Sequence, residues 1–155
     1  MLIGVAAGSE LGYLASAYYL MAYLVTNLAA FGVITWVEHN TGSDDIKSFA
    51  GLSRRAPALG LVMIVAMMSL GGIPPFGGFF GKVLVFASAI EQGMVWLALV
   101  GIFNAIIGLY YYLVVLKNIY AYEPVEKGRL AGPAFSWKLA LALCVIGIIV
   151  IGVWF

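Results

Sequence analysis

The chain has 155 residues, 64% of them apolar or aromatic and 10% charged, with a mean hydropathy of +1.06. An ordinary soluble domain is roughly half apolar and about a quarter charged, so a water-soluble fold has no way to hide this much apolar surface, and the composition points to an all-α membrane protein with lipid as part of its solvent. A formal net charge of +1 with no basic run excludes nucleic acid as a partner, and the lone cysteine, Cys144, excludes disulfides and cysteine-based metal or iron–sulfur centres.

In chain order, Met1 to Gly8 is apolar but lacks the basic region and length of a signal peptide. It reads as the last turns of a helix, as if the chain were truncated or split from a longer one. Ala15 to Val37 offers about twenty-three residues without a charge, enough to cross a hydrocarbon core of roughly 30 Å. From Glu38 to Arg55 the composition turns polar. Ser43-Asp44-Asp45 has the form of an N-cap with an acidic first turn, Ile46, Phe49 and Leu52 share a helical face, and Arg54 and Arg55 fall where a helix dipole prefers cations. This predicts one short amphipathic helix at the membrane interface. His39, the single histidine, sits beside Glu38 at the end of the preceding span, where a solvated or capping role outweighs proton handling.

The apolar run from Ala56 to Ile90 would be roughly 50 Å long as one straight helix, too long even for a tilted span. It must break, and the break is written at Gly71, Gly72, Pro74 and Pro75, followed by Gly77, Gly78 and Gly81. Prolines remove backbone donors, and glycines permit tight or unwound backbone. Two short spans are predicted, Pro57 to Gly72 and Phe76 to Ile90, joined by a tight turn. Met94 to Ala121 is a longer span ending among Tyr110, Tyr111, Tyr112, Tyr120 and Tyr122, with Lys117 snorkelling at headgroup level. Glu123 to Pro133 is a polar loop containing Lys127 and Arg129, and Trp137 to Trp154 is a final span bracketed by tryptophans.

The expectation is a single transmembrane bundle over residues 1–155, with about five transmembrane helices plus an N-terminal helix remnant. Alternation puts Lys117, Lys127, Arg129 and Lys138 on one side and Lys47, Arg54 and Arg55 on the other. The positive-inside rule separates these poorly, with a slight preference for a cytoplasmic Lys127 loop and an outer C-terminus.

Lys82 is the one charge placed deep in a span, with its backbone roughly 10 Å from either end of its helix. An ammonium there costs about 2.5 to 3.5 kcal/mol on insertion scales. Two readings are open: a stem that snorkels to an interface, or a lysine facing the bundle interior, desolvated so that it loads and releases a proton. The adjacent break favours the second, because unwound backbone at membrane depth survives only against protein or a water-filled cavity. Asn27, Ser69, Ser88, Asn104 and the tyrosines from Tyr110 to Tyr112 are further polar groups within spans, each either a helix–helix hydrogen-bond partner or a relay member. Glu91, roughly 13 Å along the same helix, is too far to pair with Lys82. No phosphate loop, metal spacing or nucleophile triad is present.

The stretch Ser69-Leu70-Gly71-Gly72-Ile73-Pro74-Pro75-Phe76-Gly77-Gly78-Phe79-Phe80-Gly81-Lys82 resembles the signature of the antiporter-like membrane subunits of respiratory complex I. Supporting matches are Tyr19-Leu20-Met21-Ala22-Tyr23, Asn27-Leu28-Ala29-Ala30-Phe31-Gly32, Phe49-Ala50-Gly51-Leu52 and Gly108-Leu109-Tyr110-Tyr111-Tyr112-Leu113. The tyrosine run, together with a lysine rather than a glutamate at Lys82, brings the chain nearest to the N type (subunit 2) of NADH:quinone oxidoreductase. The resemblance implies a proton-pumping membrane-arm subunit of two inverted repeats, each with a half-channel, in which Lys82 exchanges protons toward the outer side. It further implies no cofactor bound by this chain, a bacterial cytoplasmic membrane, and other membrane-arm subunits and the lipid bilayer as partners. The family's first repeat has no counterpart here, so the missing N-terminal half of the same subunit is a further expected partner. Two other functions stay open: a structural or truncated membrane module without its own proton path, and a subunit of a multi-subunit cation/proton antiporter.

Overall fold

The computed structural model describes residues 1–124 and 132–153. Lys127, Arg129 and Trp154 lie outside the described residues. Every regular element among these residues is helical: α1 (Leu2–Ala6), α2 (Glu10–Thr41), a 3-10 turn (Ile46–Phe49), α3 (Leu52–Arg55), α4 (Pro57–Gly71), α5 (Gly77–Glu91), α6 (Val95–Ala121) and α7 (Phe135–Val153). Of these, α2, α6 and α7 are each long and apolar enough to cross a membrane. The chain is an integral membrane bundle, as its composition requires.

Helix α2 starts where Ser9, in extended conformation, accepts the Gly12 N–H at 3.0 Å. That bond satisfies one of the amides every helix start leaves unpaired. The helix runs through Glu38 and His39 and ends at Gly42, whose φ of 72° closes it in the left-handed region. The interfacial helix expected over this region is instead two short turns. Ser43 Oγ accepts the Asp45 N–H at 3.2 Å, a local turn rather than a helix cap. Gly51, at φ 64°, then separates the 3-10 turn from α3 and gives its N–H to Asn118 O on α6 at 3.2 Å. Phe49 and Leu52 are buried as their spacing implies, while Ile46 is exposed.

The two short helices α4 and α5 do not fold back on each other as a hairpin; they run in series. Helix α4 begins against the turn before it, with Gly60 packed on Ser53. It finishes beside the middle of α2, where Ser69 Oγ lies 3.1 Å from Thr26 Oγ1. Helix α5 takes over from that level and moves toward the start of α2: Gly77 packs on Ala22, Gly81 on Tyr19, and Phe86 reaches Gly101 near the start of α6. Each has 15 residues, about 22 Å, so neither spans the core alone, while the pair together roughly matches the 48 Å of α2. The predicted pair of short spans is therefore one broken crossing.

That geometry reverses the expected separation of charge. Gly51 bonds to Asn118, Ser53 Oγ donates to Ile119 O at 2.9 Å, and Arg54 Nη1 stands 3.7 Å from Glu123 Oε1. Lys47, Arg54 and Arg55 thus share one end of the bundle with Lys117, and with Lys138, which borders a groove against Ala58 and Leu59. The other end carries Glu10 and Glu91 and, among the described residues, no lysine or arginine. The Arg54–Glu123 pair is mostly solvent-exposed, so Glu123→Gln is expected to change thermal stability in detergent by less than about 1 kcal/mol.

The tight core lies in the cationic half, where Ala29, Val33 and Val37 of α2 meet Leu59, Met63 and Ala66 of α4, closed by Leu52, Ile119, Leu141 and Ile148. Outward faces are apolar, with Trp96 and Phe103 of α6 largely uncovered, as a lipid or protein environment demands.

Candidate functional site

A helix ends with carbonyls that have no partner in their own helix. At the end of α4, Ser69 O accepts from Gly72 N–H and Met68 O from Ile73 N–H, both at 3.0 Å. Leu70 O is filled from the other side of the break: Lys82 Nζ, rising from α5, donates to it at 2.8 Å. Gly72 makes room for this in two ways. Its φ of 77° turns the chain out of α4, and a Cβ there would stand 3.0 Å from Lys82 Nζ and 2.9 Å from its Cδ. The ammonium therefore points to the centre of the bundle and does not snorkel to an interface, and no carboxylate among the described residues pairs with it.

The start of α5 is tied to the same place. Gly78 N–H lies 3.4 Å from Ser69 Oγ, and Ser69 and Thr26 are each 1% exposed. Helix α7 closes the outer side: Gly152 packs directly on Pro75 O, and Tyr18 on α2 donates to Ile151 O at 2.6 Å. Pro74 and Pro75, joined by a cis peptide bond, remain exposed.

Beside Lys82 is a half-open cavity of about 350 Å³, walled by Tyr19, Leu70, Phe86, Asn104 and Tyr112 and bounded by Ile3 and Gly101 toward the acidic end. Of the polar residues picked out in the sequence, Ser69 is at the break and Asn104 lines this cavity, though its amide donates to Val100 O of its own helix at 3.0 Å. Two are not part of the site. Asn27 donates to Tyr23 O at 2.7 Å and lies on an outer groove of α2, and Tyr110 is 66% exposed. Its neighbour Tyr112 is the tyrosine of this run that lines the cavity, because it falls one and two helical turns beyond Gly108 and Asn104 on the cavity-lining face. Thr26 and Tyr19 were not singled out by sequence reasoning. Their signal was the small-and-polar stripe Tyr19, Ala22, Thr26 at helical spacing.

A discontinuous helix whose half-ends meet midway along the bundle, with an ionisable side chain on the exposed carbonyl and a cavity beside it, places this chain in the class of membrane bundles built around a broken helix, an arrangement that many transporter folds share. The family model described as "NADH:quinone oxidoreductase/Mrp antiporter, TM" matches residues 1–108, a stretch that includes the break and Lys82, and the chain belongs to this family. It is 41% identical to NADH-quinone oxidoreductase subunit N of Azobacteroides pseudotrichonymphae, covering 98% of this chain and 32% of the relative. Against NAD(P)H-quinone oxidoreductase subunit 2 of a Synechocystis species it is 40% identical, covering 90% of this chain and 27% of the relative. In three dimensions it matches a chain of respiratory complex I from Thermus thermophilus, solved with bound aureothin, at a TM-score of 0.79 and 27% identity, over 97% of this chain and 34% of that one. The resemblance to the N type is thus borne out, and the chain spans about a third of the length of the relatives it matches.

Proposed function

We propose that this chain forms the lysine-bearing half-channel of a proton-translocating membrane-arm subunit in a NADH:quinone oxidoreductase of the complex I type. The observation that carries the reading is Lys82 Nζ held on Leu70 O at the helix break, beside a half-open cavity. The chain's residues hold and pass a proton, quinone is reduced elsewhere in the complex, and the chain binds no cofactor itself. The test is proton translocation by the complete assembly carrying Lys82→Ala; full translocation refutes the reading. A structural module is disfavoured because Lys82 turns inward. A cation/proton antiporter subunit is disfavoured by the quinone oxidoreductase relatives; sodium-dependent transport without quinone chemistry would restore it.

The exposed Pro74 and Pro75 and the open cavity support a need for covering protein, since irregular backbone at membrane depth is not tolerated against lipid. The remainder of the same subunit and neighbouring membrane-arm subunits are the partners that would supply it. With Lys47, Arg54, Arg55, Lys117 and Lys138 at one end, the positive-inside rule supports that end as cytoplasmic in a bacterial inner membrane. The cavity beside Lys82, whose lining extends to Ile3 and Gly101, then lies on the outer side of the break. In a Cys144→Ser background, a membrane-impermeant thiol reagent is expected to label Gln92→Cys in intact cells and Ser43→Cys only after the membrane is opened. The reverse pattern would invert the orientation.

A further inference from the structure

We infer that Thr26 and Ser69 are positioning residues that set the register of Lys82 against the end of α4. The inference rests on the proton-carrier reading of Lys82. Thr26 Oγ1 donates its single proton to Ala22 O at 2.6 Å. It can then only accept from Ser69, whose hydroxyl lies 3.1 Å away. Ser69, having donated, has its lone pairs free for the Gly78 N–H at 3.4 Å. The result is a directed chain, Gly78 N–H to Ser69 O–H to Thr26 O–H to Ala22 C=O, in which each donor is used once. Ser69 and Thr26 are each 1% exposed, so no solvent competes for these groups.

The chain matters for Lys82 through spacing. Gly78 and Lys82 are one turn apart on the same face of α5, and their partners, Ser69 Oγ and Leu70 O, are neighbours at the end of α4. Two contacts therefore fix α5 against α4, and Thr26 anchors the first of them to the wall formed by α2. Losing the hydroxyl pair removes the tie at Gly78, leaves α5 held to the end of α4 through the ammonium contact, and lets α5 slide relative to Leu70 O. The network is local to the break and away from the cationic end, and its loss removes hydrogen bonds rather than apolar packing, so it does not by itself unfold the bundle.

The experiment uses the complete assembly, reconstituted in proteoliposomes, with Thr26→Val, Thr26→Ser and Ser69→Ala. Thr26→Val keeps the side-chain shape, and Ser69 can then turn its proton to a carbonyl of its own helix, so the fold persists. Thr26→Val and Ser69→Ala are expected to move the midpoint of the pH profile of proton translocation by about one unit, while Thr26→Ser stays within a few tenths of a unit of the parent. A purely structural role would lower the yield of assembled enzyme and leave the midpoint per assembled complex in place; that result overturns the inference. If Lys82→Ala translocates fully, the proton-carrier reading fails. If Lys82→Ala is inactive but neither hydroxyl variant moves the midpoint, the positioning role alone fails.

Discussion

Lys82→Ala is expected to reduce proton translocation by the complete assembly about a hundredfold or more, the scale on which a positioned proton-transfer group acts. The bundle should remain folded, because the truncated side chain leaves its space to an existing cavity and Leu70 O then faces that cavity. Lys82→Arg sharpens the result. A guanidinium keeps the positive charge and can still donate to Leu70 O, yet it does not release its proton at any working pH. If Lys82 serves only as a structural cation, arginine restores function; if it carries protons, arginine fails as completely as alanine. The measurement is acidification in sealed proteoliposomes, normalised to the amount of assembled complex. Recovery of more than about half the parental rate by Lys82→Arg would remove Lys82 from the proton path.

The second large effect falls on a glycine. A Cβ on Gly78 would lie on the carbonyl oxygen of Ser69, a backbone atom of the neighbouring half-helix that cannot step aside without shifting α4 against α5. Gly78→Ala is therefore expected to destabilise the bundle by about 1–3 kcal/mol or more, as overpacked cores do, and to displace Lys82 from Leu70. Gly108→Ala is the contrast: its nearest neighbour would be a side-chain atom of Tyr112 at 3.9 Å, an ordinary contact. Alanine there also removes the entropic cost of a mid-helix glycine, so stability is expected to hold or rise slightly. Thermal unfolding of the two variants in one detergent separates them, and equal melting temperatures would mean that the close approach at Gly78 relaxes freely.

Helix ends were legible where the chain punctuates itself. Pro57, the Gly71-Gly72 pair and Glu91-Gln92-Gly93 mark where α4 and α5 start and stop to within a residue or so of the structure. The direction taken after the break was not legible. Local sequence says that a helix must stop at Gly72, whereas the path of α5 is decided by Gly77 meeting Ala22 and Gly81 meeting Tyr19, residues far away along the chain. The expected separation of charges failed for the same reason, since it counted the two half-helices as separate crossings. From Glu38 to Arg55, a few apolar positions at helical spacing fitted one helix or two turns equally, and Gly51 was the residue that chose between them.

The site was legible through its cost. An ammonium in an apolar span stands out in any sequence, whereas hydroxyls and amides do not, because most of them satisfy themselves on the preceding turn. Asn27, Asn104 and Asn118 do just that, each donating to the carbonyl four residues before it. Thr26 makes the same backward bond and yet also reaches Ser69 on another helix. Only the fold reveals the second contact.

The serial arrangement of α4 and α5 also has an electrostatic consequence. In an unbroken crossing the partial charges of a helix, about half a unit at each end, sit in the headgroups where water and salt screen them. Here the negative pole of one half-helix and the positive pole of the next face each other at mid-depth across Gly72 to Phe76. With Pro74 and Pro75 covered by neighbouring protein, these poles are muted far less there than at a headgroup surface. The centre of the bundle thus has a polarity along the membrane normal that is written in the backbone, and substituting side chains alone cannot erase it.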